Sequence, residues 1–168
     1  TTMVEHASVK SPMKYLENQG YEVTYLPVDE YGVVSIDALK EAMSEDTILV
    51  SIMYVNNEVG AIEPVEEIGK YIKSVNKNVI YHIDAIQAFG KLEIKPRKSN
   101  IDVLTVSGHK IHGPKGSGAI YVREGVNVRP LCFGGSQESK VRPGTENVPG
   151  IAAFGHASLK ALRDIREN

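Results

Sequence analysis

Three polar clusters stand directly after apolar segments, and each holds side chains able to bind or react. The most reactive is Ser107-Gly108-His109-Lys110-Ile111-His112-Gly113-Pro114-Lys115-Gly116. A lysine that sheds its proton near neutral pH can add to a carbonyl and form a Schiff base, and Lys110 stands among glycines and two histidines where that is feasible. Ser107 and His109 could bind a phosphate anion beside it. An isolated lysine is far more often a solvated residue, so Lys110 gains weight only from its company.

The second cluster is Tyr81-His82-Ile83-Asp84-Ala85-Ile86-Gln87. Asp84 ends an apolar segment, where an unpaired carboxylate is costly. It needs a strong donor. A helix N-terminus is one, and a protonated pyridine nitrogen is another. The latter pair would keep an aromatic ring cationic and make it a sink for carbanion electrons. Gln87 could reach the same ring. The third cluster is Asn56-Asn57-Glu58-Val59-Gly60. A turn is the simplest reading of it, since Asn and Gly favour turns. A planar amide can also donate to a phenolate oxygen or a carboxylate.

A metal site is the competing reading. His82, Asp84, His109 and His112 are plausible ligand types, but the last two have no recognised metal spacing and a single cysteine gives no zinc cluster. No metal is expected. No Walker-type phosphate loop or dinucleotide fingerprint is present either.

The elements that must position these clusters alternate between strand and helix. An amphipathic helix is expected over Ser8 to Gln19, with Val9, Met13 and Leu16 on one side, Gly20 closing it, and a first turn at Ser11-Pro12 as one option. Tyr21 to Leu26 alternates as a strand would. Ser35 should cap a helix carrying Ile36, Leu39 and Met43. Thr47 to Val55 reads as the central buried strand. Pro64 should start a helix with Val65, Ile68, Ile72 and Val75 inside, and Glu66 paired with Lys70 outside. Strands follow at Val79 to Ile83, Ile101 to Val106 and Ser117 to Val122. Residues 123 to 147 are mostly loop. A last helix near Pro149 should bury Ile151, Phe154, Leu159, Leu162 and Ile165. This pattern argues for α/β architecture: a mainly parallel sheet flanked by helices. Such sheets bind ligands beyond the carboxyl ends of their strands, where all three clusters stand.

Composition narrows the function. The 168 residues suit one domain, and 21 acids against 19 Lys plus Arg give a formal charge of −2. Without a basic run, nucleic acid is a poor partner. No apolar run approaches the roughly 20 residues that span a bilayer, so no membrane partner is expected. Thr1 to Lys10 lacks the features of a signal peptide, and the lone Cys132 allows no intrachain disulfide. A cytoplasmic location is the expectation. Both ends read as cuts through a larger protein.

The ordered set Thr2-Met3-Val4-Glu5-His6-Ala7-Ser8-Val9, Ser51 to Gly60, His82 to Gln87, Ser107 to Lys110 and Gly144-Thr145-Glu146-Asn147-Val148-Pro149-Gly150 resembles the cysteine desulfurases, aminotransferase class V members of the fold-type I pyridoxal-phosphate enzymes. The resemblance covers essentially the whole chain. It implies a partial pyridoxal-phosphate-binding large domain over residues 1–168, incomplete at both ends, without the N-terminal phosphate loop or the C-terminal small domain. It also implies roles. Lys110 would hold pyridoxal 5'-phosphate covalently and, with His6, handle protons. Asp84 would pair with the ring nitrogen, Gln87 with the ring hydroxyl oxygen, and His6 would stack on the ring. Asn57 would touch that region and the substrate carboxylate. Ser107 and His109 would hold the phosphate, and Thr145 would reach the phosphate of a second subunit, implying a homodimer. L-Cysteine would yield L-alanine and an enzyme persulfide, passed to a sulfur-acceptor protein for iron-sulfur cluster or thio-cofactor assembly. Selenocysteine lyase, or a non-catalytic fragment that only folds or dimerises, are the alternatives. Two departures stand out. Cys132 does not match the persulfide cysteine and reads as structural or incidental. Ser139-Lys140 replaces the usual basic residue and glycine.

Overall fold

The apolar run after Thr47 forms β1, Leu49–Met53, which pairs in parallel with β2, Ile80–Asp84. The computed structural model describes residues 1–167. β2 pairs in parallel with β3, Val103–Ser107, and β3 pairs antiparallel with β4, Gly118–Val122. The sheet order is β1-β2-β3-β4, so the expected mainly parallel sheet is present with one antiparallel margin. β1 is the first strand of the described sheet; Ile48 and Leu49 are exposed, and burial begins at Val50.

Helix α1 covers Ala7–Asn18, α2 Ile36–Ala42, α3 Val65–Val75 and α4 Val148–Glu167. Among the described residues, no helix is long and apolar enough to cross a membrane. The main core joins Val50, Ile52, Tyr81 and Ile83 of the sheet to Val65, Ile68 and Ile72 of α3. Tyr81 is fully buried, and its hydroxyl donates to the Val65 carbonyl at 3.1 Å. Ser35 caps α2 as expected, with its side chain accepting from Asp37 and Ala38 N–H.

Several local expectations fail for identifiable reasons. Pro12 lies inside α1 rather than at its first turn. His6 caps the helix, and the burial of Val9 and Met13 outweighs the one backbone bond that a proline removes. Tyr21 to Leu26 forms no strand; only Leu26 bridges to Thr2, because alternation without an adjacent chain gives no ladder. Glu66 pairs with Lys98 at 3.0 Å rather than with Lys70. Val75 is exposed. On α4, Phe154 is buried while Ile151, Leu159 and Leu162 are exposed. That helix meets the rest of the chain through Phe154, which packs against Phe89 and the Gly108 turn.

At the amino end of β3 sits a carboxylate with no solvent exposure. Asp102 accepts from Lys73 Nζ and from Tyr81 N–H at 2.7 Å, and Arg123 approaches its second oxygen at 2.6 Å. This knot ties α3, β2 and the end of β4 together.

Candidate functional site

Parallel pairing brings the carboxyl ends of β1, β2 and β3 to one edge of the sheet. Met53 lies opposite Asp84, and Asp84 lies opposite Thr105. All three polar clusters therefore leave the sheet at that edge: Asn56 to Gly60 after β1, Asp84 to Gln87 at the end of β2, and Ser107 to Lys110 at the end of β3.

Asp84 is buried at 5% exposure. Its Oδ1 accepts from Ile86 N–H at 2.9 Å. Among the described residues, no hydrogen bond occupies its second oxygen. Its backbone is fixed from both sides, since Tyr54 N–H donates to the Asp84 carbonyl and Ala85 N–H to the Thr105 carbonyl. The regular strand through Asp84 points it to the same face as His82. His82 spends both ring nitrogens on neighbours, with Ser51 Oγ at 2.8 Å and Thr105 Oγ1 at 3.2 Å. Burial lowers its pKa, against the opposing charge of Asp84. His82 thus belts three strands below the edge and offers no free nitrogen to a metal.

Lys110 is exposed on a 3-10 turn, Gly108–Ile111, that follows β3 directly. His112 closes this turn in the left-handed region at φ 63°. Gly113 is required there, because a Cβ would stand 2.8 Å from the Gly108 carbonyl oxygen. Ser107 Oγ and His109 Nδ1 lie 2.7 Å apart, so the two expected phosphate contacts are already neighbours.

Gln87 sits in the turn after Asp84, and Lys91 folds back onto it. Lys91 Nζ donates to the Gln87 carbonyl at 2.9 Å and reaches Gln87 Oε1 at 3.5 Å. Gly90, at φ 77°, lets this turn press on the Lys110 turn: a Cβ there would stand 2.7 Å from Ile111 Cγ2. Burial, and then the charge of Lys110, hold the Lys91 ammonium below the usual lysine range.

His6 is exposed at the start of α1, its Nδ1 accepting from Ser8 N–H at 3.1 Å. The buried residue beside it, Glu5, fastens this segment to the sheet edge. Glu5 Oε1 accepts from Thr2 Oγ1 at 2.8 Å and from Met53 N–H at 2.9 Å. Burial pushes the Glu5 carboxyl up to about 7; the Thr2 and Met53 bonds oppose this and the charge of Asp84 adds to it. Asn56 completes the fastening by donating to the Val4 carbonyl at 3.0 Å, while its oxygen accepts from Glu58 and Val59 N–H. Asn57 donates to its neighbour Glu58 at 2.7 Å.

The edge thus collects Asn57, Asp84, Gln87, Ser107, His109 and Lys110. Thr145 is exposed in the loop before α4, and among the described residues no hydrogen bond joins it to them. Cys132 is exposed, between exposed Leu131 and Phe133. A cavity of about 470 Å³ lies elsewhere, between α1, α2 and the start of β1, and none of the edge residues lines it. Sequence reasoning missed Glu5 and Lys91, while Asn56, singled out in a cluster read most simply as a turn, does hold that turn. The available signals were a glutamate in an apolar approach and a lysine one helical turn after Gln87.

A buried aspartate with one oxygen left open, a lysine on the adjoining strand end and a hydroxyl-imidazole pair fit an aromatic cation carrying a phosphate. The family profile described as aminotransferase class-V matches residues 1–167. The chain is 51% identical over 168 residues to cysteine desulfurase IscS of Methanosarcina thermophila, covering 100% of this chain and 41% of that protein. It is 53% identical to a cysteine desulfurase of a Nostoc species, covering 94% of this chain and 39% of the relative. Among solved structures, a NifS-like protein superposes with TM-score 0.96 at 46% identity, over 99% of this chain and 46% of that one. A structure described as SspA in complex with cysteine gives TM-score 0.89 at 40% identity, over 94% and 46%. The chain therefore spans about two fifths of the curated relatives it matches.

Proposed function

The chain belongs to the aminotransferase class-V family, and from that membership we propose that the whole protein is a pyridoxal-phosphate-dependent cysteine desulfurase whose ring-binding half is this large-domain segment. The observation that carries the reading is Asp84: a buried carboxylate with one oxygen unclaimed, next to the strand end that bears Lys110. Relatives named as cysteine desulfurases, at about half identity, favour this reading over selenocysteine lyase.

Pyridoxal phosphate supplies a carbonyl carbon for an amine and a protonated ring that takes up electrons. The chain's residues hold and tune it. Asp84 accepts the ring N–H, and its burial strengthens that charge-assisted bond. Gln87 donates to the ring hydroxyl oxygen. Ser107 and His109 bind the phosphate, and His6 covers one ring face. Lys110 would carry the cofactor, and Lys110 and His6 would hold and move protons beside it. Asn57 receives the substrate carboxylate. In the balanced reaction a cysteine thiolate of the protein takes the sulfur of L-cysteine as a persulfide, and L-alanine leaves. A sulfur-acceptor protein then collects the sulfur. Cys132 is not assigned the thiolate role, which falls to a part of the protein outside these residues. We place the protein in the cytoplasm as a homodimer, in which the exposed Thr145 reaches the partner's phosphate site.

Borohydride reduction after adding pyridoxal phosphate, followed by peptide mass analysis, tests the reading. The cofactor mass should appear on Lys110 and vanish in Lys110→Ala. An unmodified Lys110 would overturn it. The 168-residue chain alone should convert little or no cysteine to alanine; robust turnover that depends on Cys132 would reassign the acceptor thiol.

A further inference from the structure

Lys91 has no part in the roles assigned above, yet it lies between two residues that do. We propose that Lys91 is a positioning residue: its ammonium locks the Gln87 amide so that the N–H side, not the oxygen, faces the ring hydroxyl. This rests on the reading of Lys110 and Gln87 as cofactor residues.

A lysine ammonium only donates. With Nζ held at 2.9 Å by the Gln87 carbonyl and 3.5 Å from Oε1, the amide oxygen is drawn to Lys91. The flipped amide would set N–H groups against a cation. The remaining N–H groups of Gln87 are then free to donate to an anionic oxygen. The arrangement is built into the backbone. The turn holds because Ala88 and Phe89 N–H both donate to the Ala85 carbonyl, and Lys91 and Leu92 N–H to that of Ala88. Gly90 brings it into contact with Ile111 and Ala161, fixing it against the Lys110 turn and α4. Burial first, and then the nearby charge of Lys110, lower the pKa of the Lys91 amine.

The experiment compares Lys91→Met, Gln87→Ala and the double variant in the full-length holoprotein. It reads the dissociation constant of pyridoxal phosphate and the pH midpoint of its visible absorption band. Lys91→Met should weaken cofactor binding about tenfold, by loss of a charged hydrogen bond. Combined with Gln87→Ala it should add little, because both act through one group. Its midpoint should move up by roughly half a pH unit or more, since a cation and a donor to the ring oxygen are lost together. Lys91→Arg should restore both readouts. If Lys91→Met does not fold, Lys91→Gln, a donor without charge, is scored on the same readouts. Unchanged affinity and midpoint, or losses that multiply in the double variant, would overturn the role of Lys91 while a borohydride-labelled Lys110 upholds the functional reading. An unlabelled Lys110 overturns both.

Discussion

Asp84 and Asp102 are both buried in the same sheet, yet their surroundings are opposite. Asp102, at the amino end of β3, accepts from Lys73 and the Tyr81 N–H on one oxygen and has the Arg123 guanidinium beside the other. Asp84, at the carboxyl end of β2, has one backbone donor and a spare oxygen. A buried charge persists only when it is compensated. Asp102 is compensated by the fold. Asp84 is left for something the fold does not contain. The difference sets a carboxylate flanked by two cations apart from one that, among the described residues, has a single backbone donor.

The sharpest way to break this comparison is to neutralise each aspartate. Asp84→Asn should lower the rate of alanine formation by the full-length protein about a thousandfold, the upper range for losing one preorganised electrostatic contact, with little change in urea midpoint. A large stability loss with retained activity would reverse the two assignments. Asp102→Ala should do the converse. It leaves Lys73 and Arg123 without their partner, so equilibrium unfolding should show a loss of about 3 kcal/mol, while cofactor absorbance persists under native conditions.

Glu5 sharpens the contrast because it lies beside Asp84 and titrates in an accessible range. Its folded pKa is raised, from 4.5 to about 7, so the folded state binds the extra proton. That contribution is complete below the unfolded value and is lost as pH rises through 7. Glu5→Gln should therefore unfold like the native chain near pH 4 and be about 2 kcal/mol more stable relative to it at pH 8. Parallel pH curves for the two proteins would dismiss the effect. The smallest change is expected at Tyr81→Phe, which removes one buried hydroxyl bond to Val65 and should cost about 1 kcal/mol in chemical denaturation.

Much of this edge was legible beforehand, and the reasons are local. Asp84 and Lys110 follow apolar segments, and polar residues at such places mark strand ends. Ser35 caps α2 through its own side chain, so its role needs no distant partner. Tyr21 to Leu26 misled because strand formation depends on a neighbour, and only Thr2 meets Leu26. The stripe on α4 misled because apolar spacing shows which residues share a face, not whether anything covers it. Glu5 was hard to read because its partner Met53 is distant in sequence; Lys91 stands one turn from Gln87, but the packing of that turn on the Lys110 turn is not local.

By itself, then, the sequence determined the alternation of strands and helices, the order of the polar clusters and the residue types at each strand end, all of which follow from short-range periodicity and capping. Tertiary structure alone decided that β1 pairs with β2, that Asp102 is flanked by cations while Asp84 is not, and that the turn bearing Lys91 lies against the Lys110 turn. Burial and charge compensation depend on atoms brought together from remote parts of the chain, and no local pattern encodes that meeting.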